Sequence, residues 1–220
     1  MPISISGSGT ITGASSFSSN TIFGGSVGVS GAVNTSSNLL VSGQANVDVI
    51  YAKTAGGITY IPGHIIQVVN TYYTTQTSQS FSGTYNVYTD IAGLAATITP
   101  KSTNSKIYIK VRWFGEYSAS GATWNSMWSV KRNGTAIGQP TPNGTGAYGM
   151  MMASLSYFLD NASSTPEMVY FDYYDSPSSI SALTYQVTVM SSTGGTIYTN
   201  RCVATDEVGT SSITLMEIAG

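Results

Sequence analysis

The sequence predicts an all-β protein: a short N-terminal segment of repeated β units, residues 1–62, followed by a jelly-roll-like β-sandwich head, residues 63–220. Three observations predict it. Charged residues make up only 8% of the chain, against roughly 25% in an ordinary soluble domain, and Ser, Thr, Gly, Asn and 15 Tyr stand in their place. Those residues rank low in helix propensity, whereas Tyr, Thr, Val and Ile suit a pleated, half-buried surface. Several segments also alternate strictly between apolar and polar residues, the period of a strand. Finally, the first 62 residues carry a six-residue repeat.

Composition also narrows the class. Disordered chains combine low hydrophobicity with high net charge, but here the net charge is −2 and aromatic residues are 11%, which points to a folded chain. A surface this neutral is explained most simply by burial between identical subunits. Met1-Pro2-Ile3-Ser4 has no basic region ahead of an apolar run, so no signal peptide is expected. Nor does any stretch reach the roughly 20 apolar residues of a membrane span. The single cysteine, Cys202, rules out an intrachain disulfide framework. Without a cluster of Lys and Arg, nucleic acid is not an expected partner.

Residues 1–62 hold one acid, Asp48, and one base, Lys53, and all the tryptophans follow Gly63. The Pro-Gly turn within Tyr60-Ile61-Pro62-Gly63 marks the boundary. In the repeat, Gly or Ser recurs at Gly7, Gly13, Ser19, Gly25, Gly31, Ser37 and Gly43. Two places before each stand Ile5, Ile11, Phe17, Phe23, Val29, Thr35 and Val41, and Val47 continues the series. Alternation puts one apolar face on short extended segments that a thin single chain has no means of burying, so stacked neighbours must cover it. Three chains wound about an axis, a shaft with Ile5, Ile11, Phe17, Phe23, Val29, Val41 and Val47 in its core, is the favoured solution. A single-chain left-handed β-helix needs about 18 residues per coil and leaves under three coils; a disordered arm is the remaining possibility.

For the head, strands are expected over 64–73, 95–99, 107–117, 124–132, 150–159, 168–174, 183–190, 195–200 and 212–218, a spacing suited to a sandwich or jelly roll. Ile107, Ile109, Val111 and Trp113 share one face of their strand, with Lys110 and Arg112 opposite. Asn133-Gly134 between Arg132 and Thr135 is a strong hairpin signal, since both residues accept positive φ.

Four strings in the head carry a resemblance: Ile98-Thr99-Pro100-Lys101-Ser102-Thr103-Asn104-Ser105-Lys106-Ile107, Arg132-Asn133-Gly134-Thr135-Ala136-Ile137-Gly138, Ser181-Ala182-Leu183-Thr184-Tyr185 and Ile213-Thr214-Leu215-Met216-Glu217-Ile218. They resemble segments of tail-fibre and other virion structural proteins of aquatic, cyanophage-like bacteriophages, and the opening residues 3–13 are similar to N-termini of the same group. The likeness spans most of the head and the first dozen residues. It implies a virion structural role, trimeric assembly and a β-rich tip, and it supplies no catalytic residue to carry over.

The residues offer little catalytic chemistry. His64 is the only histidine, beside the boundary, and no Gly-x-Ser-x-Gly elbow accompanies it. Cys202 beside Arg201 is either a lowered-pKa thiol or a buried packing residue, with packing favoured. A polysaccharide depolymerase needs two carboxylates roughly 5–10 Å apart; Glu116, Asp160, Glu167, Asp172, Asp175, Asp206 and Glu207 are the acids available, with Asp172 and Asp175 on opposite strand faces and Asp206-Glu207 in a solvated turn. No calcium loop of the Asp-x-Asp-x-Asp kind occurs, and a metal shared by three copies on a trimer axis stays open. No cofactor is expected.

Binding is the stronger expectation. Trp113 reads as core, Trp124 and Trp128 as core or subunit contact, and Tyr170-Phe171-Asp172-Tyr173-Tyr174 offers flat faces for sugars or proteins. The polar, Gly- and Pro-containing loop 138–149 is the candidate receptor-binding tip, through Gln139, Thr141, Asn143, Thr145 and Tyr148. Met150-Met151-Met152 suits adaptable packing. The expected function is therefore a trimeric fibre or spike subunit on the virion surface, made in the host cytoplasm. The N-terminal segment would meet other virion proteins and the head a host-surface glycan or protein. A capsid-decorating cement or head-fibre protein is the alternative, and a depolymerase the lesser one.

Overall fold

The computed structural model describes residues 62–81, 83–84, 87–118, 126–139, 163–191 and 194–220. The chain divides into two units, Met1–Tyr51 and Ala52–Gly220, and every described residue lies in the second. Among the described residues there are ten strands and no helix: β1 Ile65–Tyr73, β2 Thr77–Phe81, β3 Thr89–Ile98, β4 Lys106–Ser118, β5 Ser126–Arg132, β6 Thr135–Ile137, β7 Glu167–Asp175, β8 Leu183–Ser191, β9 Gly195–Thr199 and β10 Ser211–Ile218.

The strands form two sheets, one ordered β1-β10-β4-β9-β2 with β7 also on β4, the other β3-β8-β5-β6. The first is simpler than its order suggests. Both β9 and β10 run antiparallel to β4, β10 along Lys106–Arg112 and β9 along Gly115–Ser118. They are two halves of one lane, interrupted by the excursion 200–210. On its far side β1 pairs with β10 and β2 with β9, while β7 lines the other side of β4. The sheet thus has four lanes: β1/β2, β10/β9, β4 and β7. After β2 the chain crosses between sheets at every connection except the β5–β6 hairpin and the excursion itself, which makes the fold a β-sandwich.

Alternation explains the core. Ile107, Ile109, Val111 and Trp113 of β4 are all fully buried, as are Tyr185 and Val187 of β8, while the residues between them face outward. Trp113 and Trp128, from facing sheets, pack with ring centroids 4.7 Å apart and planes tilted by 43°, a favoured aromatic arrangement. The Trp113 indole N–H donates to Thr199 Oγ1 at 3.0 Å. Gly115 sits where β4 passes from β10 to β9, and a Cβ there would overlap the Tyr198 carbonyl oxygen.

The Asn-Gly turn forms as expected, with φ of 48° at Asn133 and 84° at Gly134. Its Asn133 Oδ1 accepts the Thr184 N–H at 2.8 Å and joins the hairpin to β8. Three features depart from the expected strands. β3 begins at Thr89 rather than 95, because a register shift between Asp90 and Ala95 breaks its alternation. β2, Thr-Ser-Gln-Ser-Phe, carries almost no hydrophobic signal, and β6 is only three residues long. The expected strand 150–159 lies outside the described residues.

Candidate functional site

Even-numbered side chains of β1, β10, β4 and β7 share the outer face of the first sheet, and strand register arranges them in rows across it. One row runs Tyr72, Ser212, Arg112, Tyr170. The next runs Asn70, Thr214, Lys110, Asp172, and a third Val68, Met216, Tyr108, Tyr174. Tyr72 is 62% exposed and Tyr170 56%, so the two outer lanes of the first row end in freely accessible phenol rings. Between them lies a groove of about 280 Å³, floored by Asn70, Thr214, Ser212, Lys110 and Arg112.

Contacts within the face orient the floor. Asn70 Nδ2 donates to Thr214 Oγ1 at 2.8 Å. Arg112 Nη2 donates to Thr210 Oγ1 at 2.9 Å, which fixes the guanidinium; its buried Nε has no hydrogen-bond partner among the described residues. Lys110 Nζ stands 5.8 Å from the centre of the Tyr170 ring, within cation–π range. The Tyr170 hydroxyl beside it raises the Lys110 pKa, so the ammonium stays charged. Tyr108 and Tyr174 rings pack 5.6 Å apart, and a hydrogen bond to Asp172 raises the Tyr108 pKa. The face therefore presents two cations, a hydroxyl and amide floor and two aromatic walls.

The buried ionisable groups do a different job. Asp175 accepts two bonds from Arg132 Nη1, at 2.8 and 2.6 Å, and one from the Tyr185 hydroxyl at 2.7 Å. Burial, with Asp175 alongside, pushes the Tyr185 phenol up. Glu116 accepts the Val203 N–H at 2.6 Å, Glu167 the Tyr117 N–H at 2.8 Å, and Glu207 the Ser164 hydroxyl at 2.7 and 2.6 Å. These carboxylates pin the excursion and the lead-in to β7. Burial, with Glu116 adding to it, pushes Glu167 up to about 7. Among the described residues no group of His, Cys, Asp and Glu has the arrangement of a metal site.

The singled-out residues that the structure describes each have a definite place. Trp113 and Trp128 are core; Trp124 lies outside the described residues. In β7 the alternation sends Phe171 inward and Tyr170, Asp172 and Tyr174 outward, and Asp175 faces away from Asp172 as strand parity requires. Cys202 is buried, and burial first, then Glu116, pushes its thiol up to about 12. The neighbouring Arg201 lies instead over the Tyr198 ring at 4.5 Å. Asp206 is exposed, but Glu207 is half-buried and bonded, so only half of that pair is a solvated turn. His64 is exposed, and its carbonyl accepts the Ala219 N–H at 2.9 Å, closing the β1–β10 ladder. Of the expected receptor loop, Gln139 is half-buried after β6; Thr141, Asn143, Thr145 and Tyr148 lie outside the described residues, as do Ile5, Ile11, Phe17, Phe23, Val29, Val41 and Val47. The groove is not legible in the sequence, because Lys110, Arg112 and Tyr170 meet Tyr72 and Asn70 only through the strand register across β10.

Neither a family model nor a curated protein matches the chain. Among solved structures it is matched by the crystal structure of dimeric latent PorU from Porphyromonas gingivalis, at 10% identity and a TM-score of 0.27. That match covers 73% of this chain and 14% of PorU, and at this level it carries no argument.

Proposed function

We propose that this chain is a bacteriophage virion structural protein, a subunit of a trimeric fibre or spike whose jelly-roll head attaches to the host surface and works by binding. The observation that carries the reading is the open outer face of the β1-β10-β4-β7 sheet, where accessible tyrosines flank a polar, cationic groove. Large exposed aromatic side chains grouped on one face mark interaction sites. The head's buried carboxylates, by contrast, are bonded to backbone and side-chain donors that hold loops together. The sparse charge of the chain fits a surface partly covered by copies of itself, and three copies raise the avidity of a weak site.

Two measurements test this. In solution the full chain should have three times the 23.0 kDa mass of one subunit. Added to host cells, it should compete with adsorption of the phage that encodes it, and antibody against it should label intact particles at the end that meets the cell. A monomeric chain without cell binding overturns the proposal; dense labelling over the capsid shell replaces it with a decoration role.

A further inference from the structure

We infer that the groove between Tyr72 and Tyr170 is a subsite for an acidic oligosaccharide, with sugar rings stacked on the two phenols and an anionic group held by Lys110 and Arg112. This rests on the host-binding reading above and adds the class of ligand and the side chains that recognise it. Tyr72 and Tyr170 occupy the outer lanes of a four-lane row, roughly 14 Å apart at ordinary strand spacing. That width takes about two sugar rings side by side. Between the walls, Asn70 and Thr214 present the amide and hydroxyl groups that pair with sugar hydroxyls.

Charge selects the acidic class. Lys110 and Arg112 line the groove and no carboxylate does. The nearest acid on this face, Asp172, stands opposite Lys110 in the strand register and is bonded to the Tyr108 hydroxyl; it offsets part of the Lys110 charge, and the groove lining itself stays cationic. Thr210 holds the Arg112 guanidinium in place beside the groove, where a carboxylate or phosphate oxygen can take a charge-assisted bond from its terminal nitrogens.

The pattern also distinguishes a sugar from a second copy of the chain. Protein interfaces have an apolar centre ringed by polar residues. Along the groove the order is reversed: Tyr72 and Tyr170 end the row whose middle is Ser212 and Arg112, and Thr214 and Lys110 fill the middle of the next row, while the apolar row Val68, Met216, Tyr108, Tyr174 lies to one side. Aromatic walls around a polar floor are what a sugar meets with its apolar ring faces and its hydroxyls.

The test uses the full chain and saturation-transfer NMR with calorimetry. The probes are oligosaccharides of galacturonate, glucuronate and sialate, each beside its neutral counterpart. At least one acidic oligosaccharide should bind at least tenfold more tightly than its neutral counterpart, and salt should weaken it. Arg112→Gln, Lys110→Gln and Tyr170→Ala should each cost about tenfold or more, while Lys101→Gln, a surface cation away from the groove, should cost nothing. Binding of no acidic probe, or equal binding of acidic and neutral ones, overturns the inference. So does a change in solution mass with Tyr170→Ala, which would make the face a contact between copies. Failure of the subsite and failure of the host-binding reading separate on cells: wild type and Lys110→Gln/Arg112→Gln competing equally for adsorption removes the subsite alone, whereas a wild-type chain that does not compete removes both.

Discussion

The two sheets of the head obey the same alternation, yet their outer faces meet opposite fates. On the β1-β10-β4-β7 sheet the outward residues of β7 include Met168, Tyr170 and Tyr174, 58%, 56% and 49% exposed. On the β3-β8-β5-β6 sheet the outward residues of β5 and β8 include Met127, Ser129, Thr188 and Met190, of which none exceeds 2% exposure. Large aromatic side chains stand in solvent on one face, while serine and threonine are shut away on the other. Hydrophobicity alone would have ranked them the other way round. The difference leaves the outer face of the first sheet open to solvent and closes that of the second.

The largest expected effect breaks or confirms that contrast directly. Met190→Asp puts a charge into a fully buried position and should cost about 3–5 kcal/mol in denaturant unfolding, or prevent folding. Tyr174→Asp on the open face should shift stability by no more than about 0.5 kcal/mol. Equal costs at the two positions would show that the open face is covered in the assembled protein.

Much of the fold was legible because its signals are local. β4 and β8 announce themselves by alternation, and the Asn133-Gly134 turn by the two residues that tolerate positive φ. β2 was not legible, because Thr77, Ser78, Gln79 and Ser80 offer no apolar face and hold their place through backbone pairing with β9. The front half of β3 was hidden by its register shift at Asp90. Of the site, the aromatic run in β7 was visible, but not its partners. Tyr72 and Tyr170 are far apart in sequence and meet only through the registers of β10 and β4. Which outer face stays open is likewise a tertiary fact, since alternation assigns sides and not what covers them.

β7 sharpens the comparison within a single strand, since it carries Asp172 on the open face and Glu167 inside. Burial raises the Glu167 pKa from 4.5 to about 7, so the folded protein holds a proton that the unfolded chain releases. Its contribution to stability is full below about pH 4.5, falls as pH rises towards 7, and is level above that. Glu167→Gln, which keeps an oxygen for the Tyr117 N–H, should therefore match wild type near pH 4. At pH 8 it should be more stable by on the order of 1 kcal/mol after allowance for solvent screening. Melting curves across that range check it, and a variant less stable than wild type at pH 8 would show that the carboxylate is ionised and favourably bonded.

The smallest effect concerns the hydroxyls of the covered face. Thr188 Oγ1 and Ser129 Oγ, on paired positions of β8 and β5, are buried with no hydrogen-bond partner among the described residues. Thr214, its counterpart on the open face, accepts from Asn70. Thr188→Val keeps the branched shape and removes an unmatched polar group, so it should be neutral or stabilise by up to about 1 kcal/mol. Thr214→Val strips Asn70 of its partner in a place where water replaces it, and should cost about 0.5 kcal/mol or less. A gain at 188 with a slight loss at 214 is the signature of one face closed to water and one open to it. A loss of 1 kcal/mol or more at 188 would mean that its hydroxyl is bonded after all, and that the covered face owes its stability to polar contacts as much as to burial.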